Sequence, residues 1–277
     1  MNNNYDYNYN YNNNNNKKNN NGMRTFLYIF FFFLIVASGV ILFYVITNPT
    51  TIIYTPPETE EAPEELFVDD KEKYKIKING EVVKMSPDVD IAQERINHNN
   101  QDIIARLEVP DMFNILVVRG SDNKLYLDHS IDARAYDYKG SSFMDYRVDT
   151  NSNQINIYGH NSRDVNIQVP LMRLEKFLEK SYFDENPYII LQFENGKRVY
   201  KIAAITEVYN DNLEHMRVNK VGADFVNHIQ TILSNPINSR PTTINQNSKV
   251  IILQTCSHHL DNAVYLITGV AIDYVEE

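Results

Sequence analysis

The chain has 277 residues, with 36 acidic against 26 basic side chains and a formal charge of −10, which excludes the basic surface of a nucleic-acid binder. It has one cysteine, which excludes a disulfide framework within the chain. The apolar content is ample for a core but unevenly spread, so the chain divides by composition before any element is read.

Residues 1–25 are Asn-rich and dotted with tyrosines (NNNYDYNYNYNNNNN), with too little aliphatic content to bury a core, and read as a disordered cytoplasmic tail. Phe26 to Ile46 (FLYIFFFFLIVASGVILFYVI) carries no charge. At about 1.5 Å per residue a helix of that length spans roughly 30 Å, the hydrocarbon core of a bilayer. The run is longer than the roughly 7–15 apolar residues of a cleaved signal peptide, and no small-x-small site follows it, so residues 26–46 are expected to be a transmembrane signal anchor. Lys17, Lys18 and Arg24 precede this run and the next charge is Glu58, which places the N-terminus in the cytoplasm and the rest outside the cell membrane. Residues 47–72 hold Pro49, Pro56, Pro57 and Pro63 and an acidic stretch from Glu58 to Asp70, the composition of an extended extracellular stalk.

Residues 73–277 have the length of one domain, and their pattern is mostly β. Tyr74 to Lys84 reads as a hairpin about Asn79-Gly80. Asp88 to Asn97 reads as a helix with Asp88 as its N-cap. Strands are expected at Ile103–Val109, Ile115–Val118, Leu125–Leu127, Gln154–Tyr158, Tyr188–Phe193, Arg198–Val208, Lys249–Thr255 and Ala263–Tyr274. Two further helices are expected at Pro170–Lys180 and Ala223–Leu233. About eight short strands with few helices indicate a closed barrel or a sandwich, and periodicity does not choose between them.

The chemistry starts from the lone cysteine. Cys256 ends the apolar run from Lys249 to Thr255 and is followed by polar Ser257-His258-His259. A strand that ends this way presents a thiol at its polar tip, where it is either inert or a nucleophile kept unpaired outside the cell. A reactive thiol needs a base or a cation to hold its thiolate. His160 follows the run Gln154–Tyr158 and Gly159, so it too stands at a strand exit. His98, His129, His215 and His228 lie in polar surroundings and read as surface residues. His258-His259 raises a metal alternative, but adjacent strand residues point to opposite faces and no further Cys or His stands at ligand spacing, so neither metal nor cofactor is expected.

Several segments, in order, resemble sortases, the membrane-anchored cysteine transpeptidases of Gram-positive-type bacteria, and most of all class B. The resemblance runs from about Asp88 to Val275. It is carried by Asn100-x-Asp102-Ile103-Ile104-Ala105-x-Leu107-x-Val109-Pro110, by Asp122-Asn123-x-x-Tyr126-Leu127-x-His129, and by Gly140-Ser141-Ser142-Phe143-Met144-Asp145-Tyr146-Arg147. Ile157-Tyr158-Gly159-His160-Asn161 is similar to the family's histidine motif, and Gln254-Thr255-Cys256 to its nucleophile strand. The resemblance implies a closed sortase-type β-barrel, with Cys256 and His160 catalytic and Thr255, Asn161, Arg163 and His258 as candidate substrate-binding residues. It also implies the reaction: a C-terminal sorting signal of an exported protein is cleaved through a Cys256 thioacyl intermediate and passed to an amine of a cell-wall precursor or a pilin lysine.

One position departs from the family pattern. Asp261-Asn262-Ala263 matches a stretch that ordinarily continues with arginine, and here Val264 follows. The resemblance gives that arginine the sorting signal and the oxyanion to bind. Three readings stay open: another cation (Arg163, Arg173, His258 or His259) substitutes, backbone N–H groups act alone, or the protein is a degenerate sortase that binds peptide without turnover.

Overall fold

The computed structural model describes residues 74–276 except 79, 165, 170 and 212. The expected tail, anchor and stalk lie outside the described residues, as do Asn79 and Pro170. Among the described residues no helix is long and apolar enough to cross a membrane.

Among the described residues, twelve strands form two sheets. β1 (Tyr74–Ile78) and β2 (Glu81–Met85) make the expected hairpin, with Gly80 at a positive φ of 85° in the turn. The C-terminal β12 (Val275–Glu276) joins it to complete a three-stranded sheet. The large sheet holds β3 (Ile103–Val109), β4 (Phe113–Val118), β5 (Phe143–Met144), β6 (Gln154–Tyr158), β7 (Tyr188–Phe193), β8 (Gly196–Tyr209), β9 (Asn238–Ser239), β10 (Val250–Cys256) and β11 (Ala263–Ile272). Its order is β11-β10-β6-β5-β4-β3-β7-β8-β9, and β11 also pairs with β8. That last pairing closes eight strands into a barrel and leaves β9 as an addition to β8. The closed barrel is thus the outcome of the two architectures left open by periodicity.

Strand alternation fills the barrel. Leu107, Ile155, Ile157, Leu191, Ile202, Ile251, Leu253, Tyr265 and Ile267 share one buried core, each contributed by a side chain pointing inward from a pleated strand. Gly269 marks a close approach: a Cβ there would lie 3.0 Å from Tyr200 Cβ and 3.1 Å from Ile251 Cγ2, next to the register shift between β11 and β8. The outer face of β10 and β11 is covered by α3 (Gly222–Ile232), whose Phe225, Ile229 and Ile232 pack on Val250, Ile252, Val264 and Leu266.

Several expected elements differ in detail. Leu125–Leu127 is a 3-10 turn rather than a strand, because the Asp122 carboxylate accepts from the Lys124 and Leu125 N–H groups at 2.8 and 3.0 Å and curls the chain. The helix α1 (Ile91–Asn97) begins later than expected, with Asp90 as the N-cap to Gln93 N, while Asp88 pairs with Lys197 at 2.8 Å. The segment expected as one helix from residue 170 is a 3-10 stretch (Met172–Leu178) followed by α2 (Lys180–Glu185); Glu179, in extended conformation between them, breaks it. Ala263–Tyr274 ends as a strand at Ile272 before the chain crosses to the small sheet. His215 and His228 are buried, not surface residues.

Candidate active site

β6 and β10 are parallel neighbours, with Ile155 opposite Ile251 and Tyr158 opposite Gln254. Both strands therefore end on the same rim. Beyond the last pair, Gly159 N donates to the Gln254 carbonyl at 3.2 Å, and Thr255 Oγ1 donates to the Gly159 carbonyl at 2.9 Å. Thr255 is 2% exposed, so its hydroxyl serves to tie β10 to the residue before His160. The same offset brings Cys256 level with His160. Gly159 permits this approach: a Cβ there would lie 2.7 Å from Leu171 Cγ and 3.2 Å from Ser142 Oγ.

Past the strand ends the two chains continue side by side. Asn161 Nδ2 donates to the Cys256 carbonyl at 3.0 Å and to Glu175 Oε1 at 2.8 Å. Arg163 Nη2 donates to the His258 carbonyl at 3.2 Å. His258 Nδ1 lies 3.2 Å from Glu175 Oε1. Burial lowers the His258 pKa, with Arg163 acting in the same direction and Glu175 opposing. The structure thus collects Cys256, His160, Asn161, Arg163 and His258 at one end of the barrel. Sequence reasoning missed Glu175, which joins two of them and stands in the 3-10 stretch with no periodic signal to mark it.

A second missed carboxylate, Glu207 on β8, holds the other side of the hairpin after Cys256. Ser257 Oγ donates to Glu207 Oε1, and His259 Nδ1 lies 3.1 Å from Glu207 Oε2. Arg173 donates to the Met112 carbonyl at 3.0 Å, which belongs to the β3–β4 turn rather than to this hairpin. Val264 stands directly opposite Cys256 in the β10–β11 pair, yet it is 5% exposed and committed to the apolar cluster under α3.

The thiol and the imidazole are at rest. Cys256 is exposed as a residue, but its sulfur is desolvated enough that burial pushes the thiol pKa up. His160 Nε2 lies 2.6 Å from the Leu127 carbonyl. A carbonyl only accepts, so Nε2 carries the proton and Nδ1 is the nitrogen left for proton transfer. Cys256 and His160 share no hydrogen bond among the described residues. The arrangement sets a thiol and an imidazole at the ends of adjacent parallel strands.

Below this rim, the outer face of β6 carries a separate polar network. Asp145, fully buried, accepts from Tyr158 OH at 2.8 Å, Asn123 Nδ2 at 3.0 Å and Arg147 Nη2 at 2.6 Å. Burial works to raise its pKa, but the bonds from Arg147, Tyr158 and Asn123 outweigh it and hold the carboxyl below the usual range. Arg147 also donates to the Met216 carbonyl, and Asn156 Nδ2 to the His215 carbonyl, so the network fastens the segment before α3 across the strand.

No protein-family model and no curated protein matches the sequence. Solved structures do match. Sortase B of Clostridium perfringens is 24% identical with a TM-score of 0.60, over 65% of this chain and 100% of that one. A Staphylococcus aureus sortase B–substrate complex is 18% identical with a TM-score of 0.57, over 66% and 84%. A Streptococcus pyogenes class B sortase involved in pilus biogenesis is 21% identical with a TM-score of 0.57, over 66% and 98%. The described domain has the fold of class B sortases.

Proposed function

We propose that this protein is a cysteine transpeptidase that cleaves a C-terminal sorting signal of exported proteins and passes it to an amine. The observation that carries this reading is the pairing of Cys256 and His160 on the exits of parallel neighbours β6 and β10, in a barrel of the class B sortase fold. The chemistry follows from the groups present. His160 Nδ1 takes the thiol proton; the sulfur attacks the scissile carbonyl carbon, whose π pair moves onto oxygen. Collapse of this oxyanion restores the carbonyl and expels the amine, which takes the proton from His160. A thioacyl-enzyme remains until a second amine, deprotonated by His160, attacks it and frees Cys256.

The sequence supports the setting as part of the same proposal. A tail over 1–25, an anchor over 26–46 and a stalk over 47–72 would hold the 73–277 domain outside the cell membrane, where sorting signals, cell-wall precursor amines and pilin lysines are met. One solved sortase B is a complex with substrate and another a complex with triglycine, which supports a peptide donor and an amine acceptor. The test is transfer of a labelled sorting-signal peptide to triglycine by the full chain. Product should form with the wild type and vanish in Cys256→Ala and His160→Ala; product surviving in Cys256→Ala sinks the assignment. A folded wild type that binds peptide without forming product would instead make this a peptide-binding surface protein on the same barrel.

A further inference from the structure

Attack by a thiolate on a carbonyl puts a full negative charge on oxygen, and the rim must supply donors for it. The position opposite Cys256 does not: Val264 is buried against Phe225, Ile229 and Ile232. Of the charged groups around the thiol, Glu175 is already engaged by Asn161 and His258, and Glu207 by Ser257 and His259. His160 Nε2 is committed to the Leu127 carbonyl. Arg163 differs from all of these. Its one bond among the described residues is the 3.2 Å contact from Nη2 to the neutral His258 carbonyl, and it has no ion pair there. Its remaining guanidinium N–H groups are therefore uncommitted, and the side chain is exposed.

Location supports the same point. Asn161 holds the Cys256 carbonyl and Arg163 the His258 carbonyl, so the loop after His160 runs alongside the loop after Cys256. The guanidinium is thereby bonded to the backbone two residues beyond Cys256.

We infer that Arg163 is the anion-binding group of this site, resting on the His258 carbonyl and turning to the carbonyl oxygen that Cys256 attacks as that oxygen becomes negative. The inference rests on the thioacyl reading of Cys256 for its catalytic meaning, but the anion site itself is measurable without turnover. Cys256 is the chain's only cysteine, so alkylation of the full chain reports on this thiol alone. Iodoacetate carries a carboxylate and iodoacetamide does not, and the ratio of their rates cancels any change in thiolate fraction.

In the wild type the ratio should favour iodoacetate relative to Arg163→Ala by about fivefold, the size expected for two unit charges roughly 4 Å apart in water. Arg163→Lys should keep most of the preference, and added salt should erode it in the wild type. An unchanged ratio in Arg163→Ala overturns the proposal, even if peptide transfer is observed. A ratio that responds while no peptide is transferred leaves the anion site standing and removes the proposed reaction.

Discussion

Two polar groups of residues flank β6, one against its outer face and one past its end, and they are built on opposite plans. Around Asp145 every charge is answered: the carboxylate takes Arg147, Tyr158 and Asn123, and Arg147 reaches on to the Met216 carbonyl. Around Cys256 the connections are to backbone carbonyls and to carboxylates at a distance from the sulfur, and the thiol itself is left without a charged partner among the described residues. The first plan fixes the strand and the loop over it. The second leaves the thiol free of such ties, as the proposed chemistry requires. The contrast shows that the Asp145 network ties strand to loop, whereas the rim leaves the Cys256 thiol unbonded among the described residues.

The largest expected effect comes from breaking the satisfied side. Asp145→Ala should cost about 3 kcal/mol, the low end for breaking a buried pair because Arg147 is partly in solvent. Thermal or urea unfolding checks it; a loss below about 0.5 kcal/mol would mean the network is ornamental. Because the folded Asp145 carboxyl titrates below its unfolded value near pH 3.9, its contribution is present above about pH 4 and is lost as the pH falls through the folded value. Asp145→Asn should flatten that part of the acid limb.

Gly159→Ala tests the junction between the two groups. The added methyl meets Leu171 and Ser142, so overpacking should cost about 1–3 kcal/mol and displace His160. Stability and peptide transfer should fall together; full activity in a destabilised variant would separate His160 from the Gly159 backbone.

On the open side the effects on stability are smallest. Cys256→Ser should change unfolding free energy by no more than about 0.5 kcal/mol. In the resting wild type, burial keeps the thiol protonated, so iodoacetamide should label Cys256 more slowly near pH 7 than a model thiol, with a rate still rising above about pH 9. A plateau below about pH 8 would show a thiolate already formed at rest.

The barrel was legible because its strands alternate or run apolar: Ile103–Val109, Gln154–Tyr158 and Tyr188–Phe193 fall within the expected bounds. The two-residue β5 and β9 were not, since Phe143–Met144 and Asn238–Ser239 are too short to show a period. Cys256 and His160 could be placed at strand exits from their flanking residues alone. Glu175 and Glu207 reach the site through tertiary pairing across 14 and 50 residues of chain, which no local pattern encodes. His228 is a different kind of miss. It stands three residues after Phe225 and beside Ile229, on the buried face of α3, so helical spacing carried the signal and its polar neighbours obscured it.

The most direct test of the central claim is intact-protein mass spectrometry of the full chain mixed with sorting-signal peptides before any amine is added. The account predicts a mass increase on Cys256 equal to the peptide's N-terminal portion, discharged on adding triglycine. A wild type that binds the same peptides, with Cys256 unmodified throughout, would contradict it.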